Sequence, residues 1–274
     1  MHEIPFAKMN GTGNDFILIN NMSGAYEMVK ERAFVTAACT RKLSVGADGL
    51  ICLEPSENCD FAWRFFNADG GEAEMCGNGA RCAARFAVEN NIAGPDLAFE
   101  TLAGVIRAQV SGSQVRVRLT PPGELETGIR LVIEGSEVVL HAINTGVPHV
   151  VLFVDDCENA QVETLGRAIR YHERFAPQGT NVNFVSQESG TKLNIRTYER
   201  GVEGETFACG TGSVAAALIA SALKMVALPV SLQTRSGEQL RVDADPACPP
   251  FEQVFLEGGT RKVCEGMLCP EAWA

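Results

Sequence analysis

Two of the ten cysteines share a setting that could make a thiol reactive. Cys76-Gly77-Asn78-Gly79 and Cys209-Gly210-Thr211-Gly212 have the same form, C-G-x-G, and lead into runs that read as helices over 80–90 and 213–225. Glycine at a helix start lets the backbone come close to a ligand, and the first-turn N–H groups there lack intrahelical partners. That end of a helix also carries partial positive charge, which favours anions. A cysteine placed there gives up its proton more easily, and a carboxylate can rest on the same N–H groups. Each element therefore offers a poised thiol beside an anion cradle.

The two elements lie 133 residues apart (209 − 76). The same offset pairs Gly13 with Gly146, Gly46 with Gly179, Gly71 with Gly204 and Glu72 with Glu205, then Ala83 with Ala216, Ala84 with Ala217 and Ala87 with Ala220. So long a period means two copies of one domain rather than a solenoid. Two equivalent domains facing each other can place two thiols on opposite sides of one ligand. One thiolate then removes a proton from a carbon next to a carboxylate, and the other thiol protonates the opposite face. Helix-end N–H groups stabilise the negative charge that develops on the carboxylate. Cys76 and Cys209 are thus the expected acid–base pair. Cys82 has Ala215 as its register partner and reads as core.

Strands are expected at 16–20, 61–66, 105–110, 114–119, 150–154, 181–186, 193–198, 230–234 and 253–256. The apolar stretch 214–223 is small on nearly every face and should be buried. These features predict an α/β protein of the α+β type, each domain wrapping its strands around a central helix. The absence of a βαβ rhythm argues against a doubly wound sheet. The turn-rich Thr120-Pro121-Pro122-Gly123 marks the boundary. The expected halves are 1–121, completed by 260–274, and 122–259.

A net charge of −11 argues against nucleic acid, which is bound through Lys and Arg. No basic start followed by an apolar run suggests a secretory signal, and 214–223 is too short to span a membrane. A cytoplasmic protein handling a small molecule is expected. None of the cysteines is spaced C-x-x-C, so a structural zinc site is not expected, and most remaining thiols read as small buried residues.

The chain resembles the diaminopimelate epimerase family. The resemblance is carried by Lys8-Met9-Asn10-Gly11-Thr12-Gly13-Asn14-Asp15-Phe16, Phe66-Asn67-Ala68-Asp69-Gly70, Cys76 to Cys82, Gly146-Val147-Pro148-His149, Tyr198-Glu199-Arg200-Gly201 and Glu205 to Gly212. It implies two similar domains, each a strand barrel around a helix, with the site in the cleft between them. It implies conversion of LL-diaminopimelate to the meso form without pyridoxal phosphate or metal. By the same resemblance, Asn14, Asn67 and Asn181 are substrate-binding amides, and Gly77, Asn78, Gly210 and Thr211 form the carboxylate cradles. Arg200 clamps the distal carboxylate and Glu199 lies near the reacting amine, while His149 and Glu199 tune the two thiols.

Three positions depart from the family pattern. Val147 stands where an Asn is frequent, and Gly49 where a Gln is frequent, so two amide contacts are lost. Cys264 replaces an aromatic residue associated with dimer packing, which leaves a homodimer open. Other readings fit less well. Gly11-Thr12-Gly13 suggests a dinucleotide loop, but position 16 is Phe and no strand is expected before it. Proline racemases share the duplicated plan, yet Asn78 stands where they carry His, and their substrates would leave Arg200 without a task. A non-catalytic binder would need the helix ends but not the thiols.

Overall fold

A computed structural model describes residues 3–133 and 135–273. Alternation of apolar and polar residues builds many of the strands, as in Gln114–Leu119, where Val115, Val117 and Leu119 point inward. In chain order the first half contains β1 (Ile4–Gly11), β2 (Asn14–Asn20), α1 (Arg32–Cys39), β3 (Gly49–Glu54), β4 (Phe61–Asn67), α2 (Gly77–Glu89), β5 (Asp96–Thr101), β6 (Gly104–Ser111) and β7 (Gln114–Leu119). The second contains β8 (Glu126–Ile133), β9 (Ser136–Asn144), β10 (Pro148–Phe153), α3 (Val162–Arg170), β11 (Asn181–Ser189), β12 (Lys192–Glu199), β13 (Gly204–Thr206), α4 (Gly210–Ala222), β14 (Val230–Gln233), β15 (Gln239–Asp245) and β16 (Gln253–Gly259). The last strand is β17 (Arg261–Leu268). The chain divides into one unit of Met1–Val117 with Gly258–Ala274, and another of Arg118–Glu257.

Within the first unit the strands pair in the order β17-β1-β2-β3-β4-β5-β6, and the β2–β3 and β4–β5 pairs are parallel. Within the second the order is β8-β9-β10-β11-β12-β14-β15, with β10–β11 and β12–β14 parallel. The sequence of parallel and antiparallel pairs is the same in both. So is the backbone: φ is positive at Gly46 (69°) and Gly179 (66°), at Gly70 (79°) and Glu203 (59°), and at Asn91 (56°) and Lys224 (60°). Asn91 and Lys224 end α2 and α4 with matching hydrogen bonds, to Val88 O and Ser221 O.

Helix α2 packs on β1, β2, β3 and β6, and α4 on β9, β10, β11, β12, β14 and β15. Val214, Ala215, Ala216, Ala217, Leu218, Ile219 and Ala220 are all buried, as expected for a helix apolar on every face. A second core layer lies under each short helix, with Val35 and Ala38 of α1 in one unit and Val162 and Ile169 of α3 in the other.

Several expectations need correction. A strand does precede Gly11-Thr12-Gly13, namely β1. It enters a two-residue hairpin with Thr12 and Gly13 at φ 57° and 87°, the conformation that tight hairpins need. The helices begin a turn earlier than the alanine runs suggested, because the glycines themselves form the first turn. The expected abundance of buried thiols holds for Cys39, Cys52, Cys82 and Cys157, whereas Cys248, Cys264 and Cys269 are exposed. Burial pushes Cys39 and Cys52 up to about 12 and Cys157 to about 11, which makes them inert near neutral pH.

Candidate active site

Both cysteines occupy the residue before the first helical turn, in extended conformation, with φ −145° at Cys76 and −119° at Cys209. Each carbonyl accepts the first intrahelical bond, from Ala80 N at 2.8 Å and Ser213 N at 2.9 Å. The sulfur of Cys76 takes the role of a capping side chain, accepting from Gly79 N at 3.5 Å. The electron-rich form of the thiol is therefore met by a backbone donor at the positive end of α2.

The first unit surrounds Cys76 with ionic groups. Asn14, at the start of β2, donates through Nδ2 to Asp48 Oδ2 at 2.7 Å, so its Oδ1 is turned to accept from Cys76 Sγ at 3.6 Å. Asp48 is bound to Arg41 at 3.0 Å, and Asp15 to Arg41 at 2.7 Å and Lys8 at 3.0 Å. Burial pushes the Asp15 carboxyl up, but the Arg41 and Lys8 contacts outweigh it and leave it below the ordinary value. Asn78 is buried, and its Oδ1 accepts from Arg81 Nη2 at 2.9 Å. Arg81 is fully buried and also donates to Thr12 Oγ1 at 2.7 Å and Gly77 O at 3.2 Å. Its guanidinium thus fixes the first turn of α2 from below. Asn67 stands exposed at the end of β4, opposite Gly49 in register. A Cβ at Gly49 would lie 2.6 Å from Phe66 O, so the backbone there has no space for an amide side chain.

In the second unit a chain of neutral groups leads to Cys209. Cys209 Sγ lies 3.5 Å from Thr211 Oγ1, and Thr211 Oγ1 lies 2.9 Å from His149 Nε2. Thr145 Oγ1 donates to Thr211 O at 2.9 Å, bracing the first turn of α4. His149, on β10, is fully enclosed. Burial, aided by the nearby Arg200 charge, pushes its pKa down to about 3, so it is neutral. Asn181 Nδ2 donates to Pro148 O at 3.2 Å, and its Oδ1 accepts from Arg200 N at 2.8 Å. Asn181 therefore holds the corner from which Arg200 projects. Arg200 Nη1 donates to Gln178 O at 3.2 Å. Glu199 Oε2 accepts from Thr206 Oγ1 at 2.8 Å.

Cys76, Asn14, Gly77 and Asn78 thus gather at the start of α2, and Cys209, Gly210, Thr211 and His149 at the start of α4. Asn181, Glu199 and Arg200 gather at the adjoining ends of β11 and β12. Sequence reasoning missed Asp48, Arg81 and Asn183. Asp48 carries a readable signal, since it is the register partner of Asn181 (181 − 133). Among the described residues no cluster of three or more His, Cys, Asp or Glu is arranged to hold a metal ion. None of their helices is long and apolar enough to cross a membrane.

Solved structures share this fold. A phenazine biosynthesis protein of the PhzF family from Bacillus anthracis has a TM-score of 0.74 at 15% identity, covering 98% of this chain and 100% of that one. A probable proline racemase from Agrobacterium radiobacter has a TM-score of 0.73 at 15% identity, covering 99% and 96%. At such identity these show the fold alone. The sequence is more specific. The diaminopimelate epimerase family model matches residues 6–123 and 141–245. A diaminopimelate epimerase of Aquifex aeolicus is 49% identical over 97% of this chain and 98% of its own. One of Hydrogenobaculum is 50% identical over 96% and 98%. The chain belongs to the diaminopimelate epimerase family, a family of isomerases.

Proposed function

We propose that this protein interconverts LL-2,6-diaminopimelate and meso-diaminopimelate, in lysine and peptidoglycan precursor biosynthesis, by a two-base mechanism. In this reading Cys76 and Cys209 act on opposite faces of one substrate α-carbon. One thiolate takes the α-proton and becomes a thiol, leaving the electron pair on the α-carbon and its carboxylate. The opposite thiol then gives its proton to the other face and becomes a thiolate, so charge and protons balance. The N–H groups at Gly77, Asn78, Gly210 and Thr211 stabilise the carboxylate as its charge grows. Arg200 would hold the distal carboxylate. Glu199 would accept the reacting ammonium, while Asn14, Asn67 and Asn181 set the remaining polar contacts. His149 and Glu199 tune the thiols. The observation that carries the reading is that both cysteines stand at the N-cap position of their helices, in the same register.

The finer setting belongs to the same reading. A cytoplasmic location suits seven unbridged thiols at Cys39, Cys52, Cys59, Cys157, Cys248, Cys264 and Cys269. A homodimer would cover Val263 and Met267, exposed on β17.

The test is hydrogen exchange. The reduced protein is incubated in D2O with LL-diaminopimelate or with L-proline. Deuterium should enter the α-position of LL-diaminopimelate as the meso isomer forms. No exchange with either compound would overturn the reading, and exchange with proline alone would move the chain to a different substrate.

A further inference from the structure

Asn183 lies in β11 and is completely buried. A buried amide is costly unless its donors and acceptors are met. Its Nδ2 is 2.9 Å from Val150 O. A backbone carbonyl can only accept, so this terminus is the NH2 and the amide orientation is unambiguous. The second N–H of the same nitrogen is directed at His149 Nδ1, 3.2 Å away, and Oδ1 accepts from Thr197 Oγ1 at 2.9 Å. Gly212 makes the arrangement possible, because a Cβ there would overlap Asn183 Oδ1.

The consequences pass outward one bond at a time. Facing an N–H donor, His149 Nδ1 must be the bare nitrogen. The buried, neutral ring then carries its proton on Nε2. That Nε2–H donates to Thr211 Oγ1 at 2.9 Å. The hydroxyl, having accepted there, keeps its own hydrogen to direct at Cys209 Sγ, 3.5 Å away. The opposite tautomer would reverse every bond. Thr211 would then donate to the imidazole and could only accept from an S–H, which favours the protonated thiol.

We propose that Asn183 is a positioning residue for Cys209: it selects the Nε2–H tautomer of His149, and so turns the Thr211 hydroxyl into a donor that supports the Cys209 thiolate. The proposal rests on the two-base reading of Cys209 for its catalytic meaning, but the tautomer can be measured without substrate.

The first experiment is 15N NMR of the histidine-labelled full chain at neutral pH, with His149 assigned by its loss in His149→Gln. An unprotonated Nδ1 and a protonated Nε2 are expected; a proton on Nδ1 overturns the proposal. The second uses Asn183→Asp, which is isosteric but presents an acceptor to Nδ1. The tautomer should reverse. Alkylation of the Cys209 peptide, followed by mass spectrometry, should slow by about tenfold, and kcat should fall about tenfold or more with KM little changed, in line with loss of a hydrogen bond to a charged group. A folded Asn183→Asp variant with unchanged alkylation and kcat overturns the proposal. Should that variant fail to fold, the wild-type tautomer decides alone. A chain that epimerises with Nδ1 protonated refutes this inference and leaves the activity standing, whereas a chain with the expected tautomer and no deuterium exchange refutes the activity.

Discussion

The two helix starts share a backbone and differ in almost every polar side chain around it. At Cys76 the support is ionic, with Asp48 orienting Asn14 and the buried Arg81 cation holding Asn78. At Cys209 it is neutral, with Thr211, His149 and Asn183 in a buried chain. Register partners make the divergence concrete: Phe16 stands where the second unit has His149, and Leu50 where it has Asn183 (183 − 133). A duplicated domain has thus kept the thiol and the helix end while replacing what feeds them. At Cys76 the Asn14 oxygen, 3.6 Å away, is an acceptor, whereas the Thr211 hydroxyl at Cys209 can donate. Equivalent thiols need not have equal proton affinity.

The largest expected effect tests what the halves share. Cys76→Ala and Cys209→Ala should each lower epimerisation by at least about a hundredfold, the scale of a lost acid or base. A steady-state assay in both directions would show it, and near-normal turnover in either variant would break the equivalence. The next effect tests what they do not share. His149 binds its proton near 6.5 when unfolded and only at about 3 when folded. Between those values the unfolded chain holds more protons, so acid favours unfolding, and stability is lost as pH falls from about 6.5 towards about 3. The slope from this one group is about 1.4 kcal/mol per pH unit. Denaturation midpoints across that range should be flatter in His149→Gln; an unchanged slope would deny the ring its enclosed, neutral state. The smallest effect compares the second glycines. Gly212→Ala should cost about 1–3 kcal/mol by forcing Asn183 aside. Gly79→Ala presses only on the tip of Ile51, at 3.1 Å, with Cys76 and Phe16 at ordinary contact, and should be close to neutral. Equal midpoint shifts by differential scanning calorimetry would remove the distinction.

Much of this was readable from residue types. The offset of 133 located both helices and both cysteines because glycine, alanine and cysteine at fixed spacing leave few alternatives. The helices α1 and α3 escaped notice because each is short and amphipathic, between turn-rich segments. Strand β17 escaped because Arg261–Met267 is exposed on every residue, so no alternation marks it. The polar network was hidden for a different reason. Arg81 sits within an alanine-rich helix and Asn183 within an apolar strand, where each reads as a solvent-facing residue. Only their burial shows that they hold the site from inside. Gly212 carried the one available hint, being a glycine in the first turn of a helix whose later faces are all filled.

Strand β17 has a consequence for synthesis. It supplies β1 with the partner that β8 supplies to β9. However, β8 is made just before β9, whereas β17 is made more than two hundred residues after β1. On the ribosome, the unit spanning Arg118–Glu257 is entire before the final strand emerges. The half that is translated first therefore matures last, and Cys76 waits on a nascent chain for β17 to close the edge of its own domain.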